Sequence, residues 1–243
     1  MKTPLLFSFT LLDLQSFLTS NFYIFKLQFM KRYILLLLFF CYVQLNINAQ
    51  SCTQLGPNYF SCGVPTSEFE YMRATSVNYG EQIQSNWCWA ACVQMVLNYH
   101  GLSVNQLDVV TRIYGSPYVN QPADEQQILY ALSGWAADYR GRYSSINAYG
   151  GNTSVQEIIN GLSGKWPLIV GLRNSEGSIG HACVLTAIYY SNQYDNYGNF
   201  TGYVPEKVVI RDPFPTNVSR QELSWTDFQN RAFMVLKIWV TRL

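Results

Sequence analysis

The hydrophobic pattern of this chain changes once, near residue 165, and that change restricts the folds open to it. Before it, apolar residues recur at helical spacing; after it, they run in short β-branched blocks. The spacing predicts a helix that starts after Asn86 and ends at His100, with Gly101 as the stop. A second helix is expected over Ser103–Tyr114, capped by Ser103, with Leu107, Val110 and Ile113 on one face. A third is expected over Asp124–Leu132, and a fourth over Val155–Leu162, capped by Thr153 or Ser154. Strands are expected over Pro167–Leu172, His181–Tyr190, Val204 (or Lys207) to Arg211, and Phe233–Val240. Ser191–Gly202, rich in Asn, Tyr and Gly, reads as a long hairpin tip. Helices first and antiparallel strands second predict an α+β architecture.

The first 49 residues read as targeting sequence. Met30 is followed by Lys31 and Arg32, then by a nearly unbroken apolar run from Ile34 to Leu45, and small Ala49 precedes polar Gln50. A charged stretch, a short apolar core and a small residue at the cleavage point make a secretory signal peptide. Met30 is the expected true start. The alternative is a membrane anchor, for which the apolar run is too short. A lipid anchor on Cys52 would need a lipobox, and Ala49-Gln50-Ser51 is a poor one. The expected division is therefore 1–49 targeting, 50–80 irregular and rich in Ser, Asn, Gly and Tyr, and 81–243 the main domain.

With 16% aromatic and only 13% charged residues the chain is not of the disordered class. From Gln50 onward it carries 12 basic and 14 acidic residues, so no electrostatic case for nucleic acid exists. No stable membrane span is expected once the targeting segment is removed.

Five cysteines lie beyond that segment: Cys52, Cys62, Cys88, Cys92 and Cys183. An odd count in an exported chain leaves at least one thiol without a disulfide. Cys52 and Cys62, ten apart, are a good local pair. Cys88-x-x-x-Cys92 lacks the further ligands of a structural zinc site, and the chain has only two histidines. No metal or other cofactor is expected.

Cys88 falls where a helix begins, and free N–H groups and the helix dipole favour a thiolate there. It is either a reactive thiol or a small buried hydrophobe. Trp87 and Trp89 flank it as candidate cleft walls that would contact substrate. A reactive thiol needs a base. His100 ends the same helix, twelve residues on, roughly 18 Å away at 1.5 Å per residue. His181, opening a strand after Gly177-Ser178-Ile179-Gly180, is left. Asp212 ends the strand Val208–Asp212 ahead of Pro213 and would accept the Nδ1 proton of His181. Gln82 or Gln84, with the Cys88 N–H, would hold an oxyanion.

Gln82-x5-Cys88-Trp89-Ala90, Gly180-His181-Ala182 on a strand and the strand-end Asp212-Pro213 together resemble the papain-like cysteine peptidases. The likeness is strongest to short bacterial branches, the type III effector peptidases and the double-glycine leader peptidase-like domains, which carry Asn-Trp-Cys-Trp-Ala-Ala as at Asn86–Ala91. It spans roughly Gln82 to Asp212. It implies a nucleophile helix packed on an antiparallel sheet, with Cys88 as nucleophile, His181 as base, Asp212 as orienting residue and Gln82 as oxyanion donor. Gln82 is preferred because the family glutamine precedes its cysteine by six positions. Ser85-Asn86-Trp87 stands where papain has Cys-Gly-Ser or Cys-Gly-Ala, so papain's nearby disulfide is missing. The 31 residues from His181 to Asp212 require the Ser191–Gly202 insertion. No long inhibitory pro-region is expected between Ala49 and Gln82.

The resulting expectation is an exported peptidase, secreted or periplasmic, acting on protein or peptide. The alternatives are an acyltransferase or amidase on cell-wall or other peptides, and a catalytically silent module that binds peptide or protein. If Cys88 and His181 meet, Cys92 and Cys183 lie on opposed faces, one helical turn and two strand residues further on. They would be either bridged or two buried free thiols.

Overall fold

In the computed structural model, residues 51–137, 143–151, 154–173 and 180–242 are described. The expected targeting segment 1–49, the cap candidate Thr153 and residues 177–179 ahead of His181 lie outside them.

Among the described residues six α-helices form: α1 (Thr66–Thr75), α2 (Cys88–Tyr99), α3 (Gln106–Tyr114), α4 (Glu125–Leu132), α5 (Val155–Ser163) and α6 (Trp225–Arg231). Nine strands make one sheet: β1 (Cys52–Gly56), β2 (Tyr59–Gly63), β3 (Gly134–Ala137), β4 (Tyr143–Gly151), β5 (Leu168–Leu172), β6 (His181–Tyr194), β7 (Phe200–Arg211), β8 (Arg220–Ser224) and β9 (Ala232–Arg242). The order is β1-β2-β6-β5-β9-β4-β3, with β7 on the other edge of β6 and β8 beyond it. The pairings within it are antiparallel. The α+β expectation holds.

Strand alternation divides the interior in two. Ile169, Ala182, Val184, Met234, Leu236 and Ile238 face α2 and the helices around it. Val170, Leu172, Cys183, Leu185, Ile210 and Val235 face the other way, against α5 and α6. β5 is buried along its whole length because both faces are covered, which is why its sequence reads as an unbroken apolar run. Helix α2 is buried from Trp89 to Leu97, enclosed by α1, α3 and α4 on one side and by β5 and β6 on the other.

Several boundaries differ from expectation for local chemical reasons. Helix α3 starts at Gln106, not after Ser103, because the Asn105 side chain accepts the Asp108 N–H at 3.0 Å and caps it there. Asp124 and Gln127 form a capping box that fixes the start of α4. The supposed hairpin tip is mostly strand: Asn192 pairs with Tyr203 and Gln193 with Gly202. The turn shrinks to residues 195–199, where Asp195 accepts the N–H groups of Tyr197 and Asn199. Residues 50–80, expected to be irregular, hold the β1–β2 hairpin and α1. The Cys52–Cys62 disulfide crosses that hairpin.

Cys92 and Cys183 are free and buried. Cys92 lies in the core under α2, whereas Cys183 points to the opposite face of β6. The sheet itself stands between them, so the two faces assumed to oppose each other do not. No helix among the described residues is long and apolar enough to cross a membrane.

Candidate active site

Cys88 is the first residue of α2, and Trp87 precedes it as a cap residue whose side chain makes no capping hydrogen bond to the helix. The N–H groups of this first turn therefore have no intrahelical partner and carry the positive end of the dipole. The Ala182 N–H, on β6, donates to Cys88 Sγ at 3.5 Å. This contact locks the start of α2 onto the start of β6 and brings His181 to the thiol.

Burial pushes the Cys88 thiol up, but the hydrogen bond and charge of His181, with the Ala182 and Trp89 N–H groups, outweigh it. The thiol lies below its ordinary value. For the His181 ring, burial pulls down while hydrogen bonds to Asp212, Cys183 and Cys88 push up, and the net shift is strongly upward. Both shifts favour a thiolate–imidazolium pair, with Asp212 the largest upward cause on the ring.

His181 Nε2 lies 2.6 Å from Asp212 Oδ1. The sequence reading placed the carboxylate on Nδ1; the ring instead turns Nε2 to Asp212. Asp212 is 5% exposed and fully engaged. Its Oδ1 also accepts the Phe214 N–H at 2.8 Å, and its Oδ2 accepts the amides of Asn217 at 2.8 Å and Gln221 at 3.1 Å. Burial pushes this carboxyl up, and the His181 bond and charge, with Phe214 and Asn217, bring it below the ordinary range. Asn217 and Gln221 were not singled out in the sequence. Their only signal there was proximity to Asp212 after a proline turn.

Gln82 is 4% exposed. Its backbone N–H donates to Pro213 O at 2.8 Å, which ties it to the turn after Asp212. Its Nε2 donates to the carbonyls of Gln84 and Ser85, both at 3.0 Å, while buried Oε1 has no partner. Flipping the amide would set oxygen against two carbonyls, so the orientation is fixed.

The tryptophans are core residues, each 1% exposed. Trp87 Nε1 donates to Val119 O at 2.9 Å and Trp89 Nε1 to Gln121 O at 3.1 Å, so both indoles anchor the segment before α4. Trp89 also lines a pocket of about 270 Å³ beside the thiol; Trp87 does not, which removes it as a cleft wall. Cys88, Asp124, Ile128, His181 and Phe233 share that pocket. Phe233 sits in a bulge between β5 and β9, and its ring lies over Gly171 and Gly180. A Cβ at Gly180 would come within 2.3 Å of it, so any larger residue there would have to displace the Phe233 ring. His100 caps the far end of α2, away from this cluster.

The model of the Peptidase C39 like family matches residues 74–237. This bears out the papain-like resemblance of the sequence. No curated protein matches the chain. Among solved structures, a double glycine motif protease from an AMS/PCAT transporter, in complex with the leader peptide, is similar at 16% identity. That match has a TM-score of 0.41 and covers 67% of this chain and 89% of that one. The peptidase domain of Streptococcus mutans ComA is similar at 15% identity, with a TM-score of 0.36, covering 66% of this chain and 96% of that one.

Proposed function

The chain belongs to the Peptidase C39 like family, and from that premise we propose that it is an exported cysteine peptidase in which Cys88, His181 and Asp212 act as a triad. The observation that carries the reading is the placement of Cys88 Sγ at a helix start, 3.5 Å from the N–H of Ala182, with the neighbouring His181 bound to Asp212 at 2.6 Å.

The Cys88 thiolate attacks a peptide carbonyl and forms an acyl-enzyme. The His181 imidazolium, reached through Nδ1, gives its proton to the departing amine. It then takes a proton from the water that hydrolyses the thioester. Asp212 holds Nε2 and keeps the ring turned towards the sulfur. The developing oxyanion takes the Cys88 N–H, one of the unpaired donors of the first turn. Gln82 supplies a second donor when one of its two bonds to its own turn opens. Trp89 forms part of the wall that substrate meets. Export agrees with the Cys52–Cys62 disulfide, since such bonds persist in oxidising compartments.

The test is labelling by an epoxide-type thiol inhibitor, read together with cleavage of a peptide library. Wild type and Cys92→Ala should be labelled once and should cleave; Cys88→Ala should do neither. His181→Ala should lose nearly as much turnover as Cys88→Ala, because residues that act as a unit do not contribute additively. His100→Ala should behave as wild type. Cleavage by Cys88→Ala would end the reading.

A further inference from the structure

We propose that His181, Cys183 and Asp212 form an inhibitory binding site for a divalent ion of the zinc class. A ring nitrogen of His181, Cys183 Sγ and a carboxylate oxygen of Asp212 all lie within 4.8 Å of one another. Zinc bonds of about 2.0–2.3 Å in a tetrahedron set ligand atoms about 3.3–3.8 Å apart, so the distances close by at most about 1.5 Å, and the 2.6 Å hydrogen bond between His181 Nε2 and Asp212 Oδ1 opens if those two atoms both ligate.

The fold supplies this juxtaposition. His181 and Cys183 are two residues apart on β6 and share a face. Asp212 directly follows Arg211, which pairs with Val184 between the two strands. Imidazole, thiolate and carboxylate are a nitrogen, sulfur and oxygen set of the kind zinc, cobalt and copper take, and a poor set for magnesium or calcium. Thiolate and carboxylate together cancel the charge of a divalent ion, so the loaded site is neutral at a depth where an unbalanced charge would be costly.

Two further features fit a ligand. Asp212 Oδ2 is held by Asn217 at 2.8 Å and Gln221 at 3.1 Å, the outer hydrogen bonding that orients a metal-binding carboxylate. A pocket of about 750 Å³ opens onto His181 and Asp212 between Asn217, Gln221 and Arg231. It gives an entry path and room for a water as fourth ligand. Arg231, the cation on that wall, is already paired with Asp227 at 3.3 Å.

Cys183 has no part in attack on substrate. Coordination takes the imidazole lone pair and releases a proton from the imidazolium and one from the Cys183 thiol. The ion therefore removes the base and its orienting carboxylate in one step, and leaves Cys88 without its proton acceptor. The inhibitory consequence rests on the peptidase reading; the binding does not.

Binding is tested first in Cys88→Ala, where turnover plays no part. Titration with cobalt(II) should give a thiolate-to-cobalt charge-transfer band, which Cys88→Ala/Cys183→Ala should lack. Cys88→Ala/Asp212→Asn keeps the thiol and removes one ligand, and should bind cobalt at least tenfold more weakly. It serves also if the Cys183 variant fails to fold. In the protein with Cys88 intact, zinc should inhibit cleavage, and Cys183→Ala, measured against its own zinc-free rate, should need about tenfold more zinc for half inhibition. An absent band, or cobalt affinity unchanged by Asp212→Asn, overturns the site whatever the fate of the peptidase reading. Equal zinc sensitivity in Cys183→Ala would assign inhibition to Cys88 and His181 alone.

Discussion

Replacing Asp212 by Asn separates the charge of the orienting group from its shape. Asparagine keeps an acceptor oxygen for His181 Nε2 and for the Phe214 N–H, which now meet it at 2.6 and 2.8 Å. It removes the negative charge, and its amide nitrogen would face the Asn217 and Gln221 amides that now donate to Oδ2. A hydrogen bond to a charged group is worth about 1.5–3 kcal/mol, against about 1 kcal/mol for a neutral one. The loss is therefore about 0.5–2 kcal/mol of support for the imidazolium, or roughly one pKa unit and a half at most. The imidazolium weakens, so the thiol that hands it a proton ionises later as pH rises. The rate of Cys88 alkylation by iodoacetamide reads the thiolate directly and needs no substrate. Cys92 and Cys183 are buried and do not compete. The midpoint of the rate–pH profile should move about one unit towards alkaline in Asp212→Asn. Superimposable profiles would show that Asp212 positions the ring without supporting its charge, and the electrostatic argument would fail.

Other outcomes can be measured with the same protein. Glu70→Ala leaves Arg211, 1% exposed, without its carboxylate. It should cost about 1–3 kcal/mol in urea unfolding, less than a fully buried pair because Glu70 itself faces water. Cys52→Ala/Cys62→Ala should lower stability by about 2–3 kcal/mol, the loop-closure figure for roughly ten residues. A variant as stable as wild type under oxidising conditions would make the bridge energetically idle. Trp87→Phe strands the Val119 carbonyl and leaves a small void, and should cost about 2–4 kcal/mol in the same assay.

The legible parts of this chain were those in which one local rule acts alone. Cys88 at a helix start, His181 at a strand start and Asp212 at a strand end each carry a positional signature, and the three meet. The Cys52–Cys62 pair was readable from spacing alone. What escaped depended on partners distant in sequence. Trp87 looks like a cleft wall until the Val119 carbonyl claims its indole N–H and the core covers the ring. β1 and β2 carry weak patterns because β2 finds its partner in β6, more than a hundred residues on. The face of Cys183 was misjudged because His181, at the very start of β6, can reach the thiol while its face of the strand turns away from α2. The ring orientation of His181 has no sequence signal at all.

The edge of β6 is shared. Leu168–Leu172 of β5 occupy it from His181 to Leu185, and Tyr59–Gly63 of β2 take over from Ala187 to Ser191. The hairpin that supplies β2 lies outside the stretch matched by the family model. It thus works as an edge guard: without it, five residues of β6 would present unpaired N–H and C=O groups to the first strand that passed, including another copy of the same β6. Gly63 lets the guard seat closely, since a Cβ there would press within 2.6 Å of Ala187 Cβ. The disulfide across its base keeps the hairpin folded and ready to seat. Reduction would loosen that guard and leave Cys88, already a free thiol, chemically unchanged, so its expected consequence is self-association and not loss of the nucleophile.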